Sequence, residues 1–403
     1  MSHFISDTVK KAVRILIFGD IFGIPQLLRH IPSEHIIGFV VASNRPQYHV
    51  AVDDIAKRMK LPLMIQPSPT SEYYANFKKM VAELSPDLIW ANSYSMIIRD
   101  DLMCIAKICG INIHGALLPQ YRGCNPTEWA IINGENETGV TLHEMSSSID
   151  EGGIIDQKRT PLYFEDTWRS ATDRVVVATD QLISDNLESI LTRRWRTVPQ
   201  DDAKARYHRR RSPDDGRFQW SQPVIEIYNI VRALVAPHPG ASYIGKDGNI
   251  VTIDEYETPA ALTSRKYDQV GETFLRGQNI DLRPLGMGDI KTYLDWSKDQ
   301  DKSVVGERLE LMSLFEHSAW FEELLCKRTD IVVFVIQMIE TKEEIGVCQV
   351  SGIEWEERCA DLKLWISLKH KKFGGEAIDL LSRYGIDELN LLGFFRTEIS
   401  NIG

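Results

Sequence analysis

The chain has 403 residues, of which 43% are apolar and 26% are charged, a composition typical of soluble globular proteins. Because single domains cluster near ~100–200 residues, this length predicts two or three domains. The formal net charge of −11 argues against nucleic acid as the main partner, since affinity for nucleic acid depends on clustered Lys and Arg.

Nothing in the sequence indicates export or membrane insertion. No apolar run approaches the roughly 18 residues that span a bilayer, and the N-terminus carries no cleavage-site pattern. The six cysteines show neither metal-ligand spacing nor a disulfide rhythm, which fits a reducing compartment. We therefore predict a cytoplasmic protein with no membrane partner and no metal site.

Strands and helices alternate through the first part of the chain, which predicts α/β architecture with a Rossmann-like, mostly parallel sheet and flanking helices. The run VRILIFGD opens the pattern, and Pro25 suits the first turn of the helix that follows. The turn GDIFGIP lacks G-x-G-x-x-G, so NAD binding is not expected. The predicted strands are 13–20, 35–43, 61–67 and 86–95, and the predicted helices between them are 50–62, 73–86 and 100–109.

Two further units are predicted after this domain of residues 1–195. The polar stretch 196–220 opens a small module, 196–262, with a helix at 223–234 and a β-hairpin at 237–258. Residues 259–276 have the pattern of a linker into an α+β unit, residues 275–403. Its predicted elements are strands at 279–285, 331–338, 344–353 and the chain end, helices at 287–300 and 316–328, and a strand, a glycine turn and a helix within 361–391.

One apolar strand contains two polar residues, Asn112 and His114, in INIHGALLP. Residues two apart on a strand share a face, and ligands bind at the carboxyl edge of open parallel sheets. An amide donor beside an imidazole suits acyl transfer, and Asp150, Glu151 or Asp156 can supply a carboxylate that orients the imidazole. Taken alone, each residue has a common structural alternative, such as a satisfied core His or a turn Asp.

Residues 111–157 resemble the formyltransferases that use 10-formyltetrahydrofolate, with the family patterns N-x-H-x-S/A-L-L-P-x-Y-R-G, W-A-I-x-x-G, G-V-T-x-H and D-x-G-x-I at intact spacing. The resemblance implies N10-formyltetrahydrofolate as co-substrate and a catalytic trio of Asn112, His114 and Asp150. It also implies a folate site along 91–98 and 117–119. The residues implied there are Tyr94, Met96, Leu118 and Pro119.

The family leaves several acceptor amines open. A transfer-RNA enzyme needs a basic surface and a large barrel-like C-terminal domain, whereas the basic run RYHRRR leads into SPDDGRFQW, which resembles R-x-P-x-D-G-x-x-x-W of sugar formyltransferases. The sequence therefore favours a dTDP- or UDP-linked amino deoxysugar for lipopolysaccharide O-antigen or another surface glycan. Methionyl-tRNA formyltransferase and a noncatalytic sugar-nucleotide or folate-binding protein are the alternatives.

The same resemblance implies a homodimer and a set of substrate contacts. The candidates for phosphate binding are Gly19, Arg122 and Arg211, and those for the sugar pocket are Asn125 and Trp129. For each of them a surface salt bridge or plain packing is the structural alternative.

Residues 278–403 resemble the GNAT-type N-acetyltransferases. Their pyrophosphate-binding turn corresponds to HKKFGG, where Phe373 stands in place of the first glycine. The closing elements of that fold, expected after FRTEISN, are missing from this sequence. We therefore expect an incomplete GNAT-like domain used for packing, oligomerisation or noncatalytic binding, without acetyltransferase activity.

Overall fold

The computed structural model describes residues 12–289, 322–324 and 327–402. The chain divides into two compact units. The first comprises Met1–Ala130, Glu137–Leu162 and Ser170–Arg211, and the second comprises Ile131–Asn136, Tyr163–Arg169 and Ser212–Gly403. The three domain ranges predicted from the sequence stay a prediction.

A seven-stranded, mostly parallel sheet forms the centre of the first unit, as predicted. The strand order is β3-β2-β1-β4-β5-β7-β8, in which β7 and β8 are antiparallel to their neighbours. The short strands β6 and β9 pair separately. The strands are β1 (Ile15–Gly19), β2 (Ile36–Ala42), β3 (Leu63–Gln66), β4 (Leu88–Asn92), β5 (Cys109–His114), β6 (Arg122–Gly123), β7 (Glu137–Glu144), β8 (Ile154–Pro161) and β9 (Tyr207–His208).

Helices cover both faces of this sheet, so every residue of β1 and β4 is buried. One core layer includes Leu182, and the other includes Phe77. The predicted helix 100–109 ends at Met103, because the backbone N–H groups of Lys107 and Ile108 bond to the carbonyls of Pro86 and Asp87, just before β4. The helices are α1 (Gly23–Leu28), α2 (His49–Met59), α3 (Tyr74–Glu83), α4 (Asp100–Met103), α5 (Pro126–Ile132) and α6 (Trp168–Leu191).

The second unit contains a helix, a hairpin and a five-stranded sheet, which gives the predicted α+β C-terminal region. The sheet order is β12-β13-β14-β15-β16, antiparallel except for the parallel pair β15 and β16. The helices predicted at 287–300 and 316–328 lie mostly outside the described residues. The elements are α7 (Val224–Ala233), β10 (Ala241–Ile244), β11 (Ile250–Ile253), α8 (Pro259–Val270), β12 (Ile280–Pro284), β13 (Ile331–Met338), β14 (Glu344–Glu354), β15 (Cys359–Ser367), α9 (Gly374–Arg383) and β16 (Gly393–Ile402).

The prediction of a linker at 259–276 is wrong, because most of this segment forms α8. The side chain of Thr258 accepts a hydrogen bond from the Ala261 N–H at 3.2 Å, and Pro259 occupies the first helical turn. Gly271 ends the helix with a φ of 81°. The buried Leu262 packs this helix into the second unit.

A buried ion pair connects three elements of the second unit. The Lys266 ammonium donates to both carboxylate oxygens of Glu388 at 2.7 Å, and the side chains are 4% and 16% exposed. Lys266 also donates to the Gln222 carbonyl, and Glu388 accepts from the Val224 N–H. Burial lowers the pKa of Lys266, while Glu388 raises it and favours the charged form.

We expect Glu388→Gln to lower the free energy of unfolding by about 3 kcal/mol, because it leaves a buried ammonium without its counter-charge. Lys266→Met in the Glu388→Gln background should restore most of this loss, since no buried cation remains. Urea denaturation measures both changes. The control is Asp53→Asn, in the exposed Asp53–Lys57 pair, which should cost less than about 1 kcal/mol. Equal effects of Glu388→Gln and Asp53→Asn would contradict the prediction.

Candidate functional site

The antiparallel pairing of β5 and β7 places Asn112 directly opposite His143. The Asn112 amide nitrogen lies 3.1 Å from Nε2 of His143, and Nδ1 of His143 lies 2.8 Å from the Glu144 carbonyl. A carbonyl only accepts, so Nδ1 carries the proton and Nε2 accepts from Asn112. Burial lowers the pKa of His143 to about 4 and keeps the ring neutral at pH 7. The second N–H of Asn112 is left to donate elsewhere.

His114 lies at the end of β5 between two acceptors. Its Nε2 donates to the Tyr121 carbonyl at 2.8 Å, and its Nδ1 lies 3.5 Å from an Asp150 carboxylate oxygen. The other carboxylate oxygen of Asp150 lies 3.6 Å from His143 Nε2. Because Nε2 donates to a carbonyl, Nδ1 is the ring nitrogen that faces the carboxylate. The structure therefore brings together Asn112, His114 and Asp150 as the sequence predicted, with His143 as a fourth member.

The loop that carries Asp150 has a strained backbone held by several contacts. Asp150 adopts a φ of 57°, a left-handed conformation that is uncommon for residues other than glycine. Its carboxylate accepts from the Gly123 N–H at 2.9 Å, and the Gln200 amide donates to the carbonyls of Asp150 and Gly152 at 2.7 and 2.8 Å. A Cβ at Gly152 would meet the Glu144 carbonyl at 1.7 Å, so this position requires glycine.

Arg122 supports the same loop from inside the protein. Its side chain is 1% exposed, and its guanidinium donates to Gln200, to Asp202 at 2.8 Å and to the Tyr207 hydroxyl at 2.7 Å. Gln200 in turn holds the Asp150 loop. A contact between Arg122 and a phosphate stays a prediction. The hydrogen bonds of Arg122 are those of a residue that positions the Asp150 loop.

Two other predicted substrate residues, Asn125 and Trp129, contact the basic run 206–211, which contains the third, Arg211. The Trp129 indole N–H donates to the Arg209 carbonyl at 3.3 Å, and its ring lies 5.2 Å from that of His208. The Asn125 side chain accepts from the Arg211 N–H and donates to Glu128. The structure therefore gathers Asn125, Trp129 and Arg211 beside β6 and β9, while their contact with a substrate stays a prediction.

The turn after Gly19 is occupied by a carboxylate. Asp20 accepts from the Phe22 and Gly23 N–H groups at 2.9 and 3.1 Å, and from the Ser93 hydroxyl. These are the donors that a phosphate would use, and a neighbouring carboxylate repels an anion. This environment does not favour the predicted phosphate contact at Gly19.

The residues implied for folate binding lie on two loops beside the sheet. Tyr94 follows β4, and its hydroxyl donates to Gln66 at 2.8 Å. Met96 lies on the same loop, where its sulfur accepts from the Ser43 hydroxyl. Leu118 and Pro119 follow β5, and Thr141 and Gln157 bond to the Leu118 backbone. The structure thus places all four residues on loops that leave the carboxyl ends of β4 and β5.

Within the described ranges, no group of three or more His, Cys, Asp or Glu side chains is arranged to hold a metal ion. Of the helices that the structure describes, none is both long and apolar enough to cross a membrane.

Residues 13–187 match the family model for formyl transferase, and residues 210–279 match the model for the formyl transferase C-terminal domain. The chain thus contains both domains of the formyl transferase family, which confirms the resemblance inferred from the Asn-x-His strand.

Among related sequences, the bifunctional polymyxin resistance protein ArnA of Wigglesworthia glossinidia brevipalpis is 36% identical over 188 residues. This alignment covers 45% of our chain and only 29% of that protein. A sugar N-formyltransferase from Shewanella and a 4-N formyltransferase from Francisella tularensis are similar in structure, with 20% and 17% identity. Each has a TM-score of 0.50 and covers 60% of our chain and 97% of its own, a likeness that shows the shared fold.

His143 is the residue that our sequence analysis did not select, although it is the His of G-V-T-x-H. We expect His143→Asn to weaken the dependence of stability on pH between about 4 and 6.5. The folded-state pKa lies below the unfolded value, so unfolding takes up a proton and stability falls as pH decreases through this range. Removing the ring should lower the slope of unfolding free energy against pH by up to about 1.4 kcal/mol per pH unit.

Urea denaturation at several pH values measures this slope for both proteins, and the difference between the two curves removes the contribution of groups whose titration the substitution leaves unchanged. Parallel curves would contradict a neutral, buried His143.

Proposed function

We propose that this chain transfers a formyl group from N10-formyltetrahydrofolate to the amine of a nucleotide-linked amino deoxysugar. The observation that carries the proposal is the convergence of Asn112, His114 and Asp150 at one sheet edge, within a segment of the formyl transferase family. A formyl transfer needs oxyanion stabilisation and proton transfer, and these side chains supply both.

Asn112 stabilises the oxyanion. One N–H of its amide bonds to the neutral His143, which fixes the orientation of the amide. The other N–H can donate to the formyl oxygen as negative charge develops on it. His143 donates its Nδ1 proton to the Glu144 carbonyl. Its Nε2 therefore has no proton and can only accept from the Asn112 amide. A preoriented donor of this kind needs little reorganisation during the reaction.

His114 and Asp150 move the proton. An amine nitrogen that adds to the formyl carbon becomes cationic and must lose a proton, and the departing nitrogen of the co-substrate must gain one. We assign this proton transfer to His114 Nδ1 and the Asp150 carboxylate, which lie 3.5 Å apart. The Tyr121 carbonyl keeps the ring oriented through Nε2. Charge generated on the imidazole is stabilised by the carboxylate.

The co-substrate supplies an electrophilic formyl carbon. We assign its pterin to the loops with Tyr94, Met96, Leu118 and Pro119. Backbone and side-chain bonds from Gln66, Thr141 and Gln157 hold these loops, which supports a rigid binding surface. The assignment rests on the family resemblance and on the position of both loops after β4 and β5.

A sugar acceptor fits the small module better than transfer RNA does. The element SPDDGRFQW packs Phe218 and Trp220 against Tyr243 of the hairpin, with ring centroids 5.0 to 5.4 Å apart. The hairpin has four residues in each strand, in contrast to a large barrel. We propose dTDP or UDP as the nucleotide, a cytoplasmic location and a product used in surface glycans such as lipopolysaccharide O-antigen.

We expect Asn112→Ala to lower kcat by about 10²–10³, because the oxyanion loses its oriented donor. The variant should unfold at nearly the wild-type urea midpoint, since Asn112 is only partly buried. Release of tetrahydrofolate, followed by absorbance, gives the rate. Asn249→Ala is the control, because Asn249 is exposed in the hairpin turn, and it should leave kcat unchanged. A fully active Asn112→Ala enzyme would exclude the proposed role.

A panel of acceptors tests the substrate class. The enzyme and 10-formyltetrahydrofolate are mixed with dTDP-, UDP- and GDP-linked amino sugars, and with methionyl-tRNA. We expect tetrahydrofolate release with at least one dTDP- or UDP-linked amino sugar and none with the tRNA. Release with the tRNA alone would replace the sugar proposal by the tRNA enzyme. Ligand binding without release from any acceptor would identify a noncatalytic binding protein.

A further inference from the structure

The side-chain amide of Gln200 connects the buried Arg122 to the loop that carries Asp150. Its oxygen accepts from Arg122 Nε at 3.0 Å and from a terminal guanidinium nitrogen at 2.8 Å. Its nitrogen donates to the carbonyls of Asp150 at 2.7 Å and Gly152 at 2.8 Å. Because a guanidinium only donates and a carbonyl only accepts, this orientation of the amide is the one that satisfies all of these contacts. A glutamine side chain therefore matches both of its neighbours.

Backbone pairing brings Gln200 to this loop, although it follows Asp150 by 50 residues. The N–H and C=O of Val198 bond to the C=O and N–H of Ile154, each at 2.8 Å, in an isolated antiparallel bridge. Continued by two residues along each chain, this register places position 200 opposite position 152. The backbone therefore locates Gln200, and a change of its side chain removes the amide contacts without removing the bridge.

The contacts of the Asp150 carboxylate with the two imidazoles are long. One oxygen lies 3.5 Å from His114 Nδ1 and accepts from the Gly123 N–H at 2.9 Å. The other lies 3.6 Å from His143 Nε2. A residue with a side chain keeps a φ of 57° only where its surroundings impose it. The two bonds from Gln200 hold the backbone of this turn, which the carboxylate contacts do not reach.

Strand β6 supplies a fixed donor for the same carboxylate. The N–H groups of Arg122 and Cys124 bond to carbonyls in the segment 206–208, both at 2.9 Å. The N–H of Gly123, between them, donates instead to Asp150. The Gly123 hydrogen bond therefore depends on where the Asp150 carboxylate lies, whereas that of Cys124 depends on the pairing of β6 with β9.

We propose that Gln200 is a positioning residue for the proton transfer, because its amide holds the Asp150 turn in the conformation that points the carboxylate at His114. The amide bonds to protein groups on both sides, so it acts through Asp150. This role rests on the proposed formyl transfer, in which His114 and Asp150 move the proton. Without the two donors, φ of Asp150 can return to the negative values that residues with side chains prefer, which redirects the carboxylate. Substrate binding does not use the proton path, so the loss falls on kcat and not on KM.

Gln200→Glu removes both donors and keeps an acceptor for Arg122, while its second carboxylate oxygen faces two carbonyl oxygens. We expect it to lower kcat by at least about tenfold, and by up to about 10², with KM unchanged for both substrates. Gln200→Met should act in the same direction, and because it adds no charge it separates the lost donors from the added charge. Gln181→Glu is the matched control at an exposed position of α6, and it should leave kcat unchanged. A wild-type kcat in both Gln200 variants, or a rise in KM alone, would overturn the proposal.

A double variant separates action through Asp150 from a general loss of stability. In an Asp150→Asn background the carboxylate is already absent, so Gln200→Glu should lower kcat no further. Losses that multiply in the double variant would show that Gln200 acts by another route.

Amide hydrogen exchange tests the positioning role without any turnover. In NMR spectra of the full chain, Gln200→Glu should speed exchange at Gly123 at least about tenfold, while Cys124 exchanges at the wild-type rate. Unchanged exchange at Gly123, or equal acceleration at Gly123 and Cys124, would contradict the proposal. A wild-type protein that transfers no formyl group to any acceptor would instead refute the proposed function, and the exchange rates would still decide whether Gln200 holds Asp150.

Discussion

The hydrogen bond between Asn112 and His143 is the interaction on which the site depends. The register of β5 and β7 sets it, because the pairing places the two residues opposite each other. A slip of one residue would turn every side chain of one strand to the other face. On the other side of β7, the close approach of β8 requires glycine at position 139, since a Cβ there would meet the Lys158 carbonyl at 2.2 Å. The sheet thus fixes the orientation of an amide whose chemistry depends on which way its nitrogen points.

The Asp150 loop requires a different kind of support. A left-handed backbone at a residue with a side chain costs about 1–3 kcal/mol and persists only where the surroundings impose it. Here two successive sets of hydrogen bonds supply that constraint, from Arg122 to Gln200 and from Gln200 to the Asp150 carbonyl. Their donors and acceptors are buried or partly buried. An arginine adjacent to the site therefore acts on the carboxylate through the backbone. The positive charge of Arg122 and its position in the sequence do not distinguish support of the Asp150 loop from binding of a phosphate.

The sequence predicted most of the first unit because its signals are local. Alternating apolar strands and amphipathic helices identify the parallel sheet, and the spacing of Asn112 and His114 places both on one face near its carboxyl edge. The role of His143 was not predictable in this way, because it depends on an antiparallel partner 31 residues away and on a tautomer fixed by a carbonyl. α8 was missed although Thr258-Pro259 and Gly271 are start and stop signals. A polar sequence with few apolar positions obscured them.

The second unit shows that the segment predicted to be a linker is part of a folded core. Helix α8 belongs to the predicted linker, yet it contacts β12 and β13 and carries Lys266, whose charge is compensated by Glu388 after α9. The Thr263 and Tyr384 hydroxyls bond at 2.7 Å in the same core. The segment after α9 therefore supplies the counter-charge, and β12 and β13 of the five-stranded sheet supply a packing surface for α8. The contacts of α8 with β12 and β13 therefore contribute to the stability of the second unit, independently of any chemistry that the sheet performs.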